Sequence, residues 1–506
     1  MTAISTAIGV ERRSRVAGYK IKKGFFSEDT PNLPQIIAIF GEANTANQGT
    51  LSTDKKEITS AQEAGETYGF GSPIHAMMRI LRPVGSDGVG GIPTIVFPQI
   101  SDVGATASEI KITVTGTATA NATHTMVVAG RASIDFQSFS FAVSTGDTAT
   151  EIGDKIVDAI SGVLGSPVSA ANVAGVVTFT TKWEGATSAQ VKVSVDTGSN
   201  LAGLTYAQTS VTPGAGAVDL AASFSQFGSD WYTIVLNSYG ESQLSELEAF
   251  NGAPDDENPT GRFVGDVFKP FVALFGSVLN DKDDLAAITD LAARINQVTN
   301  VLCPAPNSSG MDYEAAANAC SIHARIAQDT PQLDVNNKSY PDMPVPSNAI
   351  IGDLADYNNR DFLVKKGCST VILDKGAYVI QDFVTTYHPA GEIPLQYAYV
   401  RNINIDRNIA FGYKILEEIT VKDHVLVADE QMTDAAKAVK PKQWKAVLFD
   451  FYDDMAVRAL ITNPQFSKDS LMVQVSPTNP DRFETTFRYK RTGIARIQSA
   501  DVEAGF

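Results

Sequence analysis

The chain has 506 residues, with 40 Lys plus Arg against 57 Asp plus Glu and a formal charge of −17 at pH 7. That length accommodates about three domains of ordinary size, and that charge excludes a nucleic-acid binder that works through a broad basic field. Cys303, Cys320 and Cys368 show no CxxC spacing, so they point away from a disulfide framework or zinc site and toward buried, inert thiols in a reducing interior.

In chain order, Met1 to Val10 lack the positive and apolar regions of a signal peptide, and Ile36–Phe40 is too short to span a membrane. Residues 11–23 carry six basic side chains (Arg12, Arg13, Arg15, Lys20, Lys22, Lys23) against Glu11, a local +5 on an acidic chain. Val16, Tyr19 and Ile21 are too sparse for a core, so the segment reads either as an extended arm that docks on an acidic body or as a frayed terminus. Ile36–Phe40, bounded by Pro34 and Gly41, reads as a buried strand opening an α/β domain. Ile58–Arg82 reads as helical, with Ser60 as a cap and Pro73 suited to a first turn. Gly85–Gly91 is glycine-rich, but it lacks the Lys-Ser/Thr of a phosphate loop and runs into the strand Thr94–Phe97 rather than a helix, so it reads as a connection.

From Ser101 to about Gly214 the composition shifts to Thr, Ala, Val, Ser and Gly, which marks an inserted module. Strands are expected at Glu109–Thr117, Thr123–Ala129, Ile134–Val143, Gly175–Thr181 and Gln190–Val195, with a helix over Gly146–Ile160 that aligns Ile152, Ile156 and Ile160. From Phe224 the strands Trp231–Leu236, Pro270–Phe275 and Val298–Cys303 alternate with the helices Ser242–Asn251, Asp283–Ile295 and Tyr313–Ala327, the pattern of a mostly parallel sheet covered by helices. Proline-rich Pro331–Pro346 marks a boundary. Beyond it come a helix Asn358–Lys366 and a strand pair, Ser369–Leu373 and Ala377–Thr386, turned at Asp374-Lys375-Gly376. Helices Leu395–Leu416 and Pro441–Leu460 follow, the second with Trp444, Val447, Leu448, Phe451 and Met455 as its buried stripe, then the strand Leu471–Val475.

In Asp481–Ile497, Phe483, Thr485, Phe487 and Tyr489 alternate with Glu484, Thr486, Arg488 and Lys490, as in a half-buried strand. Thr492 and Gly493 break the run, Ile494 and Ile497 resume apolar character, and this last strand material calls for a partner along its edge. The fold class is therefore α/β and α+β multidomain. An α/β core is interrupted by a small β-rich α+β insertion, and a C-terminal α+β domain follows, with extended strands at both chain ends.

Catalytic patterns are missing from the sequence. His75, His124, His323, His388 and His424 are scattered, and no HExxH, GxSxG, Walker or kinase signature occurs. Asp255, Asp256 and Glu257, like Asp281, Asp283 and Asp284, lack EF-hand spacing, and the second group stands at a helix start where carboxylates cap. No catalytic, metal or cofactor residues are assigned.

Three passages resemble the tail sheath proteins of contractile phage tails and related tailocins, most closely the Mu-like branch. They are Arg15–Ile21 with Pro34–Gly41; the module segments Gly146–Ile152, Gly175–Thr181 and Lys182–Gly185; and Tyr399-Val-Arg-Asn-Ile-Asn-Ile-Asp-Arg-Asn-Ile409 with the final strands. One departure is Ala17, where that family usually places proline. The resemblance implies a linking arm (1–30), a sheath core (31–104 and 215–345), a surface-exposed insertion (105–214), a C-terminal domain facing the tube (346–490) and a linking strand (491–506). It implies a non-enzymatic subunit that polymerises around a rigid tube and contracts to drive it through a host envelope. Neighbours would be joined through Arg15, Val16, Tyr19 and Ile21 of the arm and through Phe483, Thr485, Phe487, Tyr489, Ile494 and Ile497. Lys437, Lys440, Lys442 and Lys445, with no acidic residue between them, would face the tube or form a solvated helix start. The implied partners are further copies in stacked six-fold rings, a tube protein, and baseplate and terminator proteins, with neither nucleic acid nor membrane. The implied location is the virion, with assembly in the bacterial cytoplasm. The alternatives are an α/β nucleotide- or metal-binding enzyme, which rests on fold analogy alone, and a Thr/Ser-rich adhesin.

Overall fold

The computed structural model describes residues 31–254, 258–265, 267–391 and 396–504. Arg15, Val16, Tyr19 and Ile21 of the arm, and the acidic Asp255, Asp256 and Glu257, lie outside the described residues. The fold mixes helices with several sheets and divides into two compact units. The larger comprises Asn32–Phe411, Ala459–Asn463 and Tyr489–Phe506; the described part of the smaller is mainly Gly412–Arg458 and Pro464–Arg488.

The larger unit is built on a six-stranded sheet in the order Asn300–Pro304, Val272–Ser277, Ile234–Asn237, Ile37–Glu42, Thr94–Gln99, Lys56–Glu57. All neighbours are parallel except the last pair. Ile37–Glu42 is buried at every position, which is why it reads as a continuous apolar run rather than an alternating one. Ile37 and Ile39 face the helices Pro73–Leu81 and Asp312–Asp329, while Ala38 and Phe40 face an aromatic layer in which the Phe40 and Phe97 rings stack at 5.1 Å and Phe227 lies 5.1 Å from Phe97. The helical segment Ile58–Arg82 is two helices, Ala61–Tyr68 and Pro73–Leu81, separated at Gly69 and Gly71; Ser60 and Ser72 cap them, and Pro73 opens the second.

Between Thr94–Gln99 and Ile234–Asn237 the chain builds two antiparallel sheets around the helix Ala149–Ser161. One has the order Thr205–Thr212, Ala107–Thr115, Val176–Glu184, Val168–Val173; the other Val193–Asp196, Ala122–Val128, Ser140–Val143. Thr148 and Glu151 form a capping box at the helix start, and Ile152, Ile156 and Ile160 are buried on one face. The expected strand Ile134–Val143 is broken by a hairpin turning at Asp135-Phe136, both at positive φ, with Asp135 held 2.8 Å from Arg79. Gln190 belongs to a 3₁₀ turn, Ala186–Gln190, and the strand begins only at Val193.

Three further expectations are corrected. The helix Asp283–Ile295 stops at Thr289, where the Asp290 carboxylate is engaged by His388 at 2.9 Å and Lys366 at 2.5 Å. In the helix Pro441–Val457, Tyr452 joins the buried stripe and Val447 is only half-buried. The terminal strand is regular at Phe483–Thr486 and Lys490–Arg491 but not over residues 492–504. The turn at Lys375-Gly376 takes positive φ at both residues, 49° and 77°, as a two-residue hairpin loop requires.

Ile156→Ala is expected to cost about 2–5 kcal/mol in denaturant unfolding by emptying the centre of the module, whereas Val173→Ala, on an exposed edge position, is expected to stay within about 0.5 kcal/mol.

Candidate assembly interface

The polar residues of Tyr399–Ile409 have a common task that begins with the helix Val400–Thr420. Two of them, Arg407 and Asn408, bind the amino end of the parallel sheet, and Asn404 steadies Arg407. Asn408 Oδ1 accepts from Leu33 N at 2.8 Å, and Arg407 donates to the carbonyls of Thr233 (2.7 Å) and Pro270 (3.5 Å) and to Asn404 Oδ1 at 2.9 Å. Arg407 is 1% exposed, and burial brings its pKa down to about 9.

One residue earlier, Asp406 points at the chain end. Its Oδ1 accepts from Tyr489 Oη at 2.8 Å and Arg491 Nε at 2.6 Å, and its Oδ2 pairs with Arg491 Nη2. Burial works against the Arg491 charge, but the hydrogen bonds and charge of Asp406 outweigh it and hold its pKa above the usual value. Burial, and then the Asp406 charge, push the Tyr489 phenol well up. Lys490–Arg491 pair antiparallel with Ile461–Thr462, and Thr492 N bonds Leu460 O at 3.2 Å. Arg401 donates to Gln332 O (3.0 Å) and Thr492 O (2.8 Å), and Arg496 pairs with Asp334 over the ring of Tyr399. Residues 489–496 are thus fastened to their own unit. Beyond them Ile497 is 93% and Val502 85% exposed, while Ile494, within the fastened stretch, is 37% exposed.

In the smaller unit, Met472–Val475 and Phe483–Thr486 form a two-stranded antiparallel ribbon among the described residues. Its inner face meets the helix Pro441–Val457. Trp444 Nε1 donates to Thr485 Oγ1 at 3.1 Å, and Phe487 lies 5.4 Å from Tyr452 and 5.8 Å from Tyr413. Phe483, Thr485, Phe487 and Tyr489 are half-buried and Thr486, Arg488 and Lys490 exposed, but Glu484, which accepts from Gln474 Nε2 at 2.8 Å, is half-buried too, so the alternation read from sequence holds only from Thr485 to Lys490. Of the four lysines, Lys437 and Lys442 are exposed and Lys440 and Lys445 half-buried. The preceding loop brings acidic residues close: Lys442 lies 3.8 Å from Glu430, and Lys440 Nζ bonds the Gln431 carbonyl at 2.5 Å.

The carboxyl end of the parallel sheet, where open α/β folds usually take ligands, is covered by the module. Thr187 Oγ1 donates to the buried Glu42 at 2.6 Å, Gln190 Oε1 accepts from Asp312 N at 3.0 Å, and Arg131, 9% exposed, pairs with Glu314 at 2.7 Å and Asp342 at 3.3 Å. The histidines are separate: His124 lies between Tyr206 and Asn200, His388 on Asp290, His75 accepts from Gly71 N, exposed His424 meets the Lys422 carbonyl, and buried His323 packs 5.4 Å from Phe383 with no hydrogen-bond partner for Nε2 among the described residues. Asp281 caps its helix through Asp283 N and Asp284 N. Cys303, Cys320 and Cys368 are buried, with their thiol pKa values raised by burial. Among the described residues no group of three or more His, Cys, Asp or Glu is arranged to hold a metal, and no helix is long and apolar enough to cross a membrane. Asp406, Arg401 and Asp334 were not picked out from sequence as site residues; the available signal was the density of polar side chains in Tyr399–Ile409.

No protein-family model matches the chain, and no curated protein matches it. Among solved structures it is similar to a sheath tail protein from Desulfitobacterium hafniense, at 12% identity over 93% of this chain and 100% of that one, with a TM-score of 0.44. It is also similar to a sheath tail protein from Listeria innocua (12% identity, 91% and 93% covered, TM-score 0.43) and to the contracted helical sheath of the anti-feeding prophage (9% identity, 97% and 99% covered, TM-score 0.42).

Asp406→Asn is expected to weaken charge-assisted bonds of about 1.5–3 kcal/mol each. Amide exchange should then quicken across residues 489–496 and stay unchanged in the strand Ile37–Glu42; equal exchange in both segments before and after the change would contradict the anchoring role.

Proposed function

We propose that the chain is the structural subunit of a contractile tail sheath of the Mu-like kind, which assembles helically around a rigid tube and contracts to drive it through a host cell envelope. The observation that carries this reading is the fastened chain end: residues 489–496 are tied down by Asp406, Arg401 and Asp334, and exposed Ile497 and Val502 follow. A segment fixed at one end and exposed beyond it is suited to β-augmentation of another copy. The ribbon Met472–Val475 with Phe483–Thr486 is the proposed receiving sheet; the break at Gly493 suggests a donated strand from Thr492 onward, but because Thr492 and Arg496 are bonded within their own unit the proposed departure is after Arg496, with Ile494 at the rim and Ile497 in the donated part. Arg15, Val16, Tyr19 and Ile21 of a neighbour's arm are proposed to join the same sheet.

The domain assignment follows the sequence resemblance: arm 1–30, core 31–104 and 215–345, outward insertion 105–214, tube-facing domain 346–490 and linking strand 491–506. Repeated copies, in stacked six-fold rings, would form the sheath on a tube protein, ending at baseplate and terminator proteins, within a virion assembled in the bacterial cytoplasm. The subunit would do no chemistry; contraction would draw on surface buried between core domains. Lys437, Lys440, Lys442 and Lys445 are proposed to face the tube, where exposed ion pairs of about 0–1 kcal/mol each can hold one state and then release it.

Three measurements test this. The purified chain is expected to form hollow striated tubes in negative-stain micrographs. Deleting residues 1–23, or separately 497–506, should abolish them while leaving a cooperatively melting monomer; tubes that persist in either deletion remove that segment from the mesh. Reversing the four lysine charges should reduce co-assembly with the tube protein without affecting sheath-only tubes, and unchanged co-assembly would overturn the tube-facing assignment.

A further inference from the structure

We infer that the inserted module pairs with the module of a second copy of this chain, the edge strand Thr205–Thr212 of one lying antiparallel along the edge strand Val168–Val173 of the next. The sheet concerned has the order Thr205–Thr212, Ala107–Thr115, Val176–Glu184, Val168–Val173, so these two strands are its edges. Soluble proteins commonly guard such edges with charged side chains, lysine above all. In this sheet the charges are on the inner strands, Glu109 and Lys111 on one and Lys182 and Glu184 on the other. No Asp, Glu, Lys or Arg occurs from Ala159 to Thr181 or from Thr197 to Val218, the segments that contain the edges.

The backbone of both edges is open. Half of the N–H and C=O groups of an antiparallel edge strand point away from its neighbour. Among the described residues, the backbone of Ser169–Val173 and of Thr205–Val211 bonds only to the adjacent inner strand. The rows of side chains that cross the sheet are likewise unfinished. Val211, Ile110, Phe179 and Ala170 form one row, in which Ile110 and Phe179 are buried while Val211 at one end is 50% exposed and Ala170 at the other is half-buried. On the opposite face the row Ala207, Thr113, Val176, Val173 ends at Val173, 75% exposed. The register shift between Gln208 and Ser210 makes Thr209 a bulge, held on its own sheet by the Thr113 hydroxyl at 3.1 Å. Thr205–Gln208 and Ser210–Thr212 therefore offer a partner two short runs.

The occupant follows from the topology. Every neighbouring pair is antiparallel, so with four strands the two edges run in opposite directions. A copy displaced along the hydrogen-bonding direction sets one edge antiparallel to the other, and the alternation continues without a break. A two-fold pairing of either edge with itself would leave the other uncharged edge bare. The contact is heterologous, with different surfaces of each copy meeting, and so it repeats from copy to copy. It is separate from the exchange of terminal strands, since neither edge includes any of residues 489–506.

The test uses the full chain. In an unstaggered continuation Ser210 stands beside Ala171 of the next copy, because Ser210, Lys111, Thr178 and Ala171 share one row; both residues are exposed, and Cys303, Cys320 and Cys368 are buried. A chain carrying both Ser210→Cys and Ala171→Cys is expected to cross-link on mild oxidation into dimers and longer multimers. An equimolar mixture of the two single variants should stop at the dimer, and each single variant alone should give no covalent product. Ser169→Cys or Val173→Cys in place of Ala171→Cys covers a stagger of two residues in either direction. Ala207→Lys in the double-cysteine chain should cut the cross-linked fraction about tenfold, and Ala207→Ser should leave it unchanged. No multimers at any of the three partner positions, a single variant that links to itself, or full cross-linking in Ala207→Lys would each overturn the contact. Striated tubes that form without the cross-link overturn it and leave the sheath reading standing, whereas cross-linked multimers without tubes support the contact and count against that reading.

Discussion

A parallel sheet buried on both faces has its polar backbone exposed in only one direction, along the strand ends, and this chain closes both ends with side chains. At the amino end Arg407 takes the carbonyls of Thr233 and Pro270, and Asn408 takes the N–H of Leu33. At the carboxyl end the module supplies Thr187 for Glu42, Gln190 for the first N–H of the helix Asp312–Asp329, and Arg131 for Glu314. An unpaired group at either place would cost about 1–3 kcal/mol, so the sheet depends on the helix at one end and the module at the other. The crevice that serves other α/β proteins as a ligand site is here a docking surface for a structural insert.

The helix that closes the amino end also holds the tail, and the spacing of its residues explains how. Successive positions on a helix are turned by about 100°, so Asp406 and Arg407 cannot face the same neighbour. Arg407 goes to the sheet and Asp406 to Arg491, while Arg401, on another turn, reaches Thr492. A pull on the chain end is therefore passed through a bidentate ion pair to a helix whose next residue grips the central sheet. Isolated surface ion pairs contribute little. This one is largely shielded, with side chains 19% and 13% exposed, and shares its carboxylate with Tyr489.

Much of the core was readable from sequence because its strands are buried throughout and run apolar without interruption, and because Ile152, Ile156 and Ile160 keep a helical period. Among the strands that go unread, Thr205–Thr212 lies at a sheet edge exposed at nearly every position and so carries little apolar face to detect, and Val168–Val173, at the opposite edge, turns only Val168 and Ala170 inward as apolar residues. The helix over Asp283–Ile295 was overextended because what stops it is the attraction of Asp290 to His388 and Lys366, which lie 98 and 76 residues further along the chain. The same holds for the site. Asp406 and Glu42 are single carboxylates with no local pattern, and their meaning comes from Arg491, 85 residues later, and Thr187, 145 residues later.

The two carboxylates also show how burial and pairing divide roles between like groups. Asp406 meets a guanidinium in fork geometry, so its charge is matched, and the pairing holds the Arg491 pKa above its usual value. Glu42 meets only a hydroxyl, so its charge is unmatched, and burial raises its pKa to about 7 against the opposing effect of the Thr187 bond. The chain end is therefore tied by a charge pair, and the end of the central strand by a single hydrogen bond from a hydroxyl to a buried carboxyl.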